Sequence, residues 1–223
     1  MSKQLRVGYV VEGATDYLVL DALVEEFLKD DYIPTRIQPP ISEFADQQGP
    51  LGGGWRGVLR WCGEANKGLA LSNFDVLIVH LDADVAQESE LDSLQLKSNC
   101  PPATFACDKL RSHITNLLNT NGTPHIVLCT PAQCTEAWVF AALYYEDVPK
   151  YHDFECRREV ERLLIPKPDK LVRDKDGQAK KQTANYRENL WAIVRKWANA
   201  TSVCTEAKRF EEECRAALSA VKK

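Results

Sequence analysis

The eight cysteines of this 223-residue chain include no Cys-x-x-Cys pair and no His/Cys spacing of the kind that builds a zinc site. Cys129 and Cys134, five apart, do not mark a metal or disulfide site by their spacing. Eight reduced thiols are therefore expected, as in a cytosolic protein. Long apolar runs are missing too. No stretch approaches the ~18 consecutive apolar residues of a membrane span, and the N-terminal MSKQLRV lacks the apolar segment of a signal peptide. The expectation is a cytoplasmic protein that does not engage a membrane. The cluster GPLGGGW (49–55) has no Gly-Lys-Ser/Thr ending, so ATP binding through a P-loop is not expected. No internal repeat or low-complexity tract divides the chain.

What is present is an ordinary globular composition, 44% hydrophobic and 27% charged, in a chain long enough for one large domain or one domain with an extension. The net charge of −4 hides an asymmetry. Residues 1–149 carry 10 Lys and Arg against 20 Asp and Glu, whereas residues 150–196 carry 13 against 8. Such a division suits either a metal-binding half beside a polyanion-binding flank or a solvated helical surface of mixed charge, and charge alone favours the second.

Apolar β-branched runs predict strands at 5–11, 32–38, 74–81 and 125–129, the second at a sheet edge because Pro34 cannot donate to a ladder. Between them, periodicity predicts helices at 15–29, 56–71 and 105–119, with Thr15 as the first N-cap. Thr130-Pro131-Ala132-Gln133 matches a capping box with proline at the first helical position and predicts a further helix through Glu136, Trp138 and Phe140. This alternation means βαβ units, hence an α/β fold with a mainly parallel sheet flanked by helices. Beyond residue 150 the pattern becomes helical, at 153–164, 186–198 and 204–221, with the basic connector KPDKLVRDKDGQAKKQTAN between the first two. The division expected is an α/β domain over 1–150 and a basic helical extension over 151–223, packed on it or merged with it.

In a parallel sheet the loops after the strands' carboxyl ends share one edge, where ligands bind. Glu12 follows the first strand, and Asp82 and Asp84 follow the strand at 74–81. In an extended segment Asp82 and Asp84 point the same way, and Gly13 allows a turn after which Glu12 and Asp16 also share a side. Carboxylates gathered at one edge repel one another and raise each other's pKa, a penalty that a divalent cation removes. Oxygen ligands of this kind suit Mg²⁺ or Mn²⁺.

At these residues the chain resembles the Toprim family, the metal-binding domain of topoisomerases, DnaG-type primases and overcoming-lysogenization-defect nucleases. The segments that carry the resemblance are VGYVVEGATD (7–16) and VLIVHLDAD (76–84), with TPAQCTEAWVFAAL (130–143) similar to a segment of small Toprim-like proteins. The likeness covers about residues 5–145. It implies a compact Toprim-type fold and Mg²⁺-dependent phosphodiester chemistry on DNA or RNA. By that resemblance Glu12 is a metal ligand or general base, Asp82 and Asp84 hold Mg²⁺, and Asp16 is a further ligand. Nuclease relatives also use a lysine near the site, and Lys180 and Lys181 are the candidates. A nuclease of this type suggests an effector of a prokaryotic defence or toxin system, regulated by a partner protein.

Arg56 and Arg60 are candidate phosphate contacts, whereas Trp55 and Trp61 are expected in or beside the core. Glu136 stands open between a first-turn carboxylate favoured by the helix dipole and another metal ligand. Trp138 and Phe140 are expected in the core, and His80, inside an apolar strand, is expected as a packed, hydrogen-bonded histidine. Tyr186, Trp191 and Trp197 interleave with the basic residues at 167–196 and are expected on a packed helix with a basic outer face. Two competing readings are a non-catalytic module that binds nucleic acid or a partner, and a GT-A-like glycosyltransferase whose Asp-x-Asp holds a metal and a sugar nucleotide. The latter leaves Glu12-Gly13 without a role.

Overall fold

Strands β1 (Leu5–Val10), β2 (Tyr32–Gln38), β3 (Val76–His80) and β4 (His125–Cys129) pair in parallel in the order β2-β1-β3-β4 in the computed structural model, which describes residues 4–40, 51–64, 71–118 and 124–221. Pro34 does lie on an edge strand. The α/β fold with a mainly parallel sheet flanked by helices is what the structure adopts, and all four strands of this sheet are parallel.

Side-chain alternation along the strands feeds two cores. Val7, Tyr9, Val76, Ile78, Val127 and Cys129 pack on one face with helices α1 (Ala14–Leu28), α4 (Thr135–Leu143), α6 (Trp197–Val203) and α7 (Thr205–Val221). Val10, Leu77, Val79 and Leu128 pack on the other face with α2 (Gly54–Glu64) and α3 (Ala103–Leu118). Burial on both faces explains why these strands read as continuous apolar runs. Gly8 lies at a close approach, since a Cβ there would stand 2.8 Å from Ile37 and 3.0 Å from Phe74.

The C-terminal segments share the first core with the sheet, through Tyr186, Ile193, Trp197, Phe210 and Leu218. Trp138 and Phe140 are fully buried there, and Trp61 is buried in the second core. No helix among the described residues is long and apolar enough to cross a membrane.

Several expectations are corrected. Helix α1 begins one residue earlier than expected, with Gly13 at its N-cap, and Thr15 is buried inside it. Helix α4 starts at Thr135, not at Pro131, so Thr130–Gln133 is no capping box. Those residues brace the sheet instead. Pro131 O accepts the Ala83 N–H at 2.8 Å, and Thr130 Oγ1 accepts from Arg111 at 3.2 Å. The helix expected over 56–71 ends at Glu64 as described; residues 65–70 lie outside the described residues, and Leu71–Asn73 form a 3₁₀ turn.

The expected helix over 153–164 is two 3₁₀ turns, Phe154–Cys156 and Val160–Leu164, because Glu159 adopts a left-handed φ of 52° that no continuous helix tolerates. The polar connector contains a hairpin, β5 (Val172–Lys175) and β6 (Gln178–Lys181), turned by Asp176 and Gly177, both at positive φ. The helix expected over 186–198 is α5 (Thr183–Arg195), followed by a separate α6. The thiols are not all reduced. Cys100 and Cys156, 56 residues apart, form a disulfide at a Cα–Cα distance of 5.4 Å, while the other six are free and buried. Tertiary approach across that separation leaves no local spacing to read.

Candidate metal centre

Strand order reverses direction between β1 and β3, the switch point at which open α/β sheets bind ligands. Glu12 leaves β1 and Asp82 leaves β3 on the two sides of that point. Glu12 Oε1 accepts the Asp82 N–H at 2.7 Å although 70 residues separate them. One ligand atom from each of Glu12, His80 and Asp82 lies within 4.8 Å of the others.

Gly13 plays a different part from the one expected. Its φ of −140° is extended backbone, so no turn requires a glycine here. A Cβ at this position would stand 3.0 Å from an Asp16 carboxylate oxygen. The glycine leaves room for Asp16.

His80 is fully buried, as a packed histidine should be, and its Nε2 lies 2.8 Å from Thr135 Oγ1. The same nitrogen is 3.2 Å from Asp82 Oδ1, which places the ring in the carboxylate cluster and not beside it. Burial alone would lower its pKa, but the charges of Asp16, Asp82 and Glu12 outweigh that and push it up to about 9. Those charges favour the protonated ring, while His80 Nδ1 is buried without a hydrogen-bond partner. Glu12 moves upward as well, well above the usual carboxylate range, through burial first and then the charge of Asp82.

A second cation enters from the hairpin. Lys181 Nζ stands 2.8 Å from Glu136 Oε2 and 3.4 Å from Asp16 Oδ1. Burial opposes its charge, yet Asp16, Glu136 and Asp82 hold its pKa well above the usual lysine value. Asp16 answers in the other direction. Burial raises it, but Lys181 and His80 overcome that and keep it below the usual value. Glu136, with no exposed surface, stays raised by burial despite Lys181. The Tyr186 hydroxyl donates to Glu136 Oε1 at 2.8 Å.

Glu12, Asp16, Asp82, Glu136 and Lys181 are thus brought together, with Asp16 and Glu136 tied to Lys181 and outside the 4.8 Å set. Asp84 departs from its expected place. The chain turns into a 3₁₀ helix at Ala83–Gln87, so the Asp-x-Asp is not extended, and Asp84 is an exposed residue while Asp82 is buried. Partial withdrawal of its carboxyl from water, then the charges of Asp82 and Glu161, push Asp84 up to about 7.

The other candidates lie elsewhere. Arg56 donates through Nε and Nη2, one edge of its guanidinium, to the two carboxylate oxygens of Glu90 and stacks 4.4 Å over Trp55. Arg60 is exposed and, among the described residues, donates to Leu51 O at 3.5 Å. Lys180 is exposed on the hairpin next to Lys181. Tyr186 and Trp197 are buried as expected, whereas Trp191 is 68% exposed.

His80, Thr135 and Tyr186 are the site residues that sequence reasoning missed. A hydroxyl partner for a strand histidine has no sequence signal. Tyr186 carried one, its closeness to Lys181 in KKQTANY, but read as core.

Glu12, His80 and Asp82 together offer a donor set able to hold a metal ion, without specifying which. Glu12 and Asp82 offer carboxylate oxygens, and the buried Asp82 Oδ1 has no hydrogen-bond partner of good geometry. No family model, curated protein or solved structure matches this chain.

Proposed function

We propose that this protein is a Mg²⁺- or Mn²⁺-dependent nuclease that hydrolyses phosphodiester bonds in nucleic acid, with a Toprim-like division of labour. The observation that carries the reading is the meeting of Glu12 and Asp82 within 4.8 Å at the switch point, 70 residues apart in sequence. Glu12 commits Oε1 to the Asp82 N–H, so the reading rests on the carboxylate oxygens that remain for a cation.

Glu12 and Asp82 would hold the cation, with Asp84 at the outer rim. The bound ion supplies Lewis-acid stabilisation of charge on a phosphoryl oxygen. The chain's own residues set the frame around it. Asp82 N–H orients Glu12, and His80 is fixed by Thr135 beside Asp82. Lys181, a third exposed, is held by Asp16 and Glu136 with a proton available to a phosphate oxygen. Tyr186 fixes Glu136 and so acts through it.

A second reading, a binding module that uses no metal, draws on the two cations already present, since His80 and Lys181 partly neutralise the cluster. Incubation of plasmid and RNA with Mg²⁺ or Mn²⁺ separates the two. Metal-dependent cleavage that is lost in Asp82→Ala and Glu12→Ala supports the nuclease. Equal cleavage by wild type and both variants sinks it.

A further inference from the structure

Lys181 reaches the acidic cluster from a hairpin whose other side has no assigned task. In the β5–β6 ladder Val172 pairs with Lys181, Arg173 with Lys180, Asp174 with Ala179 and Lys175 with Gln178. Strand alternation sends Val172, Asp174, Ala179 and Lys181 to one face and Arg173, Lys175, Gln178 and Lys180 to the other. The first face is tied down. Val172 is buried, Lys181 enters the cluster, and Asp174 pairs with Arg162 at 3.4 Å.

The second face is exposed and holds three cations and an amide. Among the described residues no carboxylate pairs with Arg173, Lys175 or Lys180. Arg173 and Lys180 stand directly opposite one another, an arrangement that costs stability in a sheet unless something anionic lies across it. A two-stranded hairpin can spare little. The only acid in its turn, Asp176, sits at the tip, outside this face.

We infer that the outer face of the β5–β6 hairpin is a docking surface for the phosphodiester backbone of nucleic acid, with Arg173, Lys175 and Lys180 each taking a phosphate. The hairpin would then join binding to chemistry, cations outside and Lys181 inside, one residue apart. The inference rests on the nuclease reading for its placement, and it concerns affinity, not cleavage.

Its test is fluorescence anisotropy of a short labelled single-stranded DNA on the Asp82→Ala protein in EDTA, with and without R173Q/K175Q/K180Q, across a salt series. Three lost phosphate contacts should weaken binding at least about tenfold at low salt and reduce the slope of log affinity against log salt by about 2. The melting temperature of the triple variant should hold or rise, because a like-charge pair is removed. Unchanged affinity and slope in the triple variant would overturn the inference, as would no measurable binding by its parent. So would equal competition by polyglutamate, which would point to an acidic protein partner. Plasmid cleavage by wild type reports separately on the metal centre. Cleavage without hairpin-dependent binding sinks only the docking surface, and hairpin-dependent binding without cleavage sinks only the nuclease.

Discussion

Two buried carboxylate sites in this molecule look alike by burial and differ in what surrounds them. Glu155 accepts from the Thr205 N–H at 2.7 Å, the Thr205 hydroxyl at 2.7 Å and the Glu206 N–H at 2.8 Å. It thereby caps helix α7 from 50 residues away, satisfying donors that a helix start leaves free. Burial still raises its pKa against those hydrogen bonds. At the switch point, burial also raises Glu12 and Glu136. There, however, Glu12, Asp16, Asp82 and Glu136 crowd one another and share two cations, His80 and Lys181. A raised carboxyl therefore does not distinguish the two regions. The surplus of carboxylates over the fold's own donors does, and that surplus marks the candidate metal centre.

Substitution at the two regions should give opposite results. Glu12→Gln or Asp82→Asn should lower metal-dependent cleavage by about 10²–10⁴-fold while leaving the metal-free melting temperature unchanged or higher, as read by cleavage assay and circular dichroism. A melting temperature that collapses with activity would make Glu12 another Glu155. Glu155→Ala should instead cost about 2–4 kcal/mol in denaturant unfolding, because it strands two backbone donors and a hydroxyl at the start of α7. Its folded fraction should cleave normally.

The pH dependence sharpens the contrast. Asp84, raised to about 7, and His80, raised to about 9, both bind more protons folded than unfolded. Asp84 thus contributes stability at low pH that is lost as pH climbs from about 4 to about 7. The contribution of His80 is complete below about 6.5 and is lost as pH passes about 9. Thermal melting in EDTA should fall across this window, and Mn²⁺ should flatten the fall above neutrality by taking the place of protons. A profile identical with and without Mn²⁺ would speak against metal at this cluster. The smallest effect belongs to Tyr186→Phe, about 1 kcal/mol for one buried hydrogen bond to Glu136, with a modest loss of activity as Lys181 loosens.

Strands β1, β3 and β4 were legible because they are buried on both faces, whereas β2 is a partly exposed edge strand read from its β-branched residues and Pro34. VGYVV, YIPTRIQ, FDVLIVHL and HIVLC needed no tertiary information to be read as strands. The pairing of Glu12 with Asp82 followed from parallel topology, which brings strand ends together whatever their separation in sequence. What escaped depends on contacts that no local pattern carries. Thr130–Gln133 had the composition of a helix start, but Pro131 O and Thr130 Oγ1 were already engaged by Ala83 and Arg111. The hairpin at 172–181 was masked by its charges, although Asp176-Gly177 is a turn signal. His80 read as a core residue because its strand is apolar, and only tertiary packing sets it against Asp82. Cys100 and Cys156 meet only in the folded chain.

Isothermal titration of Mn²⁺ into the wild-type chain and into Asp82→Asn asks whether the carboxylates at the switch point hold a metal ion. The expectation is saturable Mn²⁺ binding by wild type and no saturable binding by the variant. Absence of binding by wild type, or equal binding by both proteins, would contradict it.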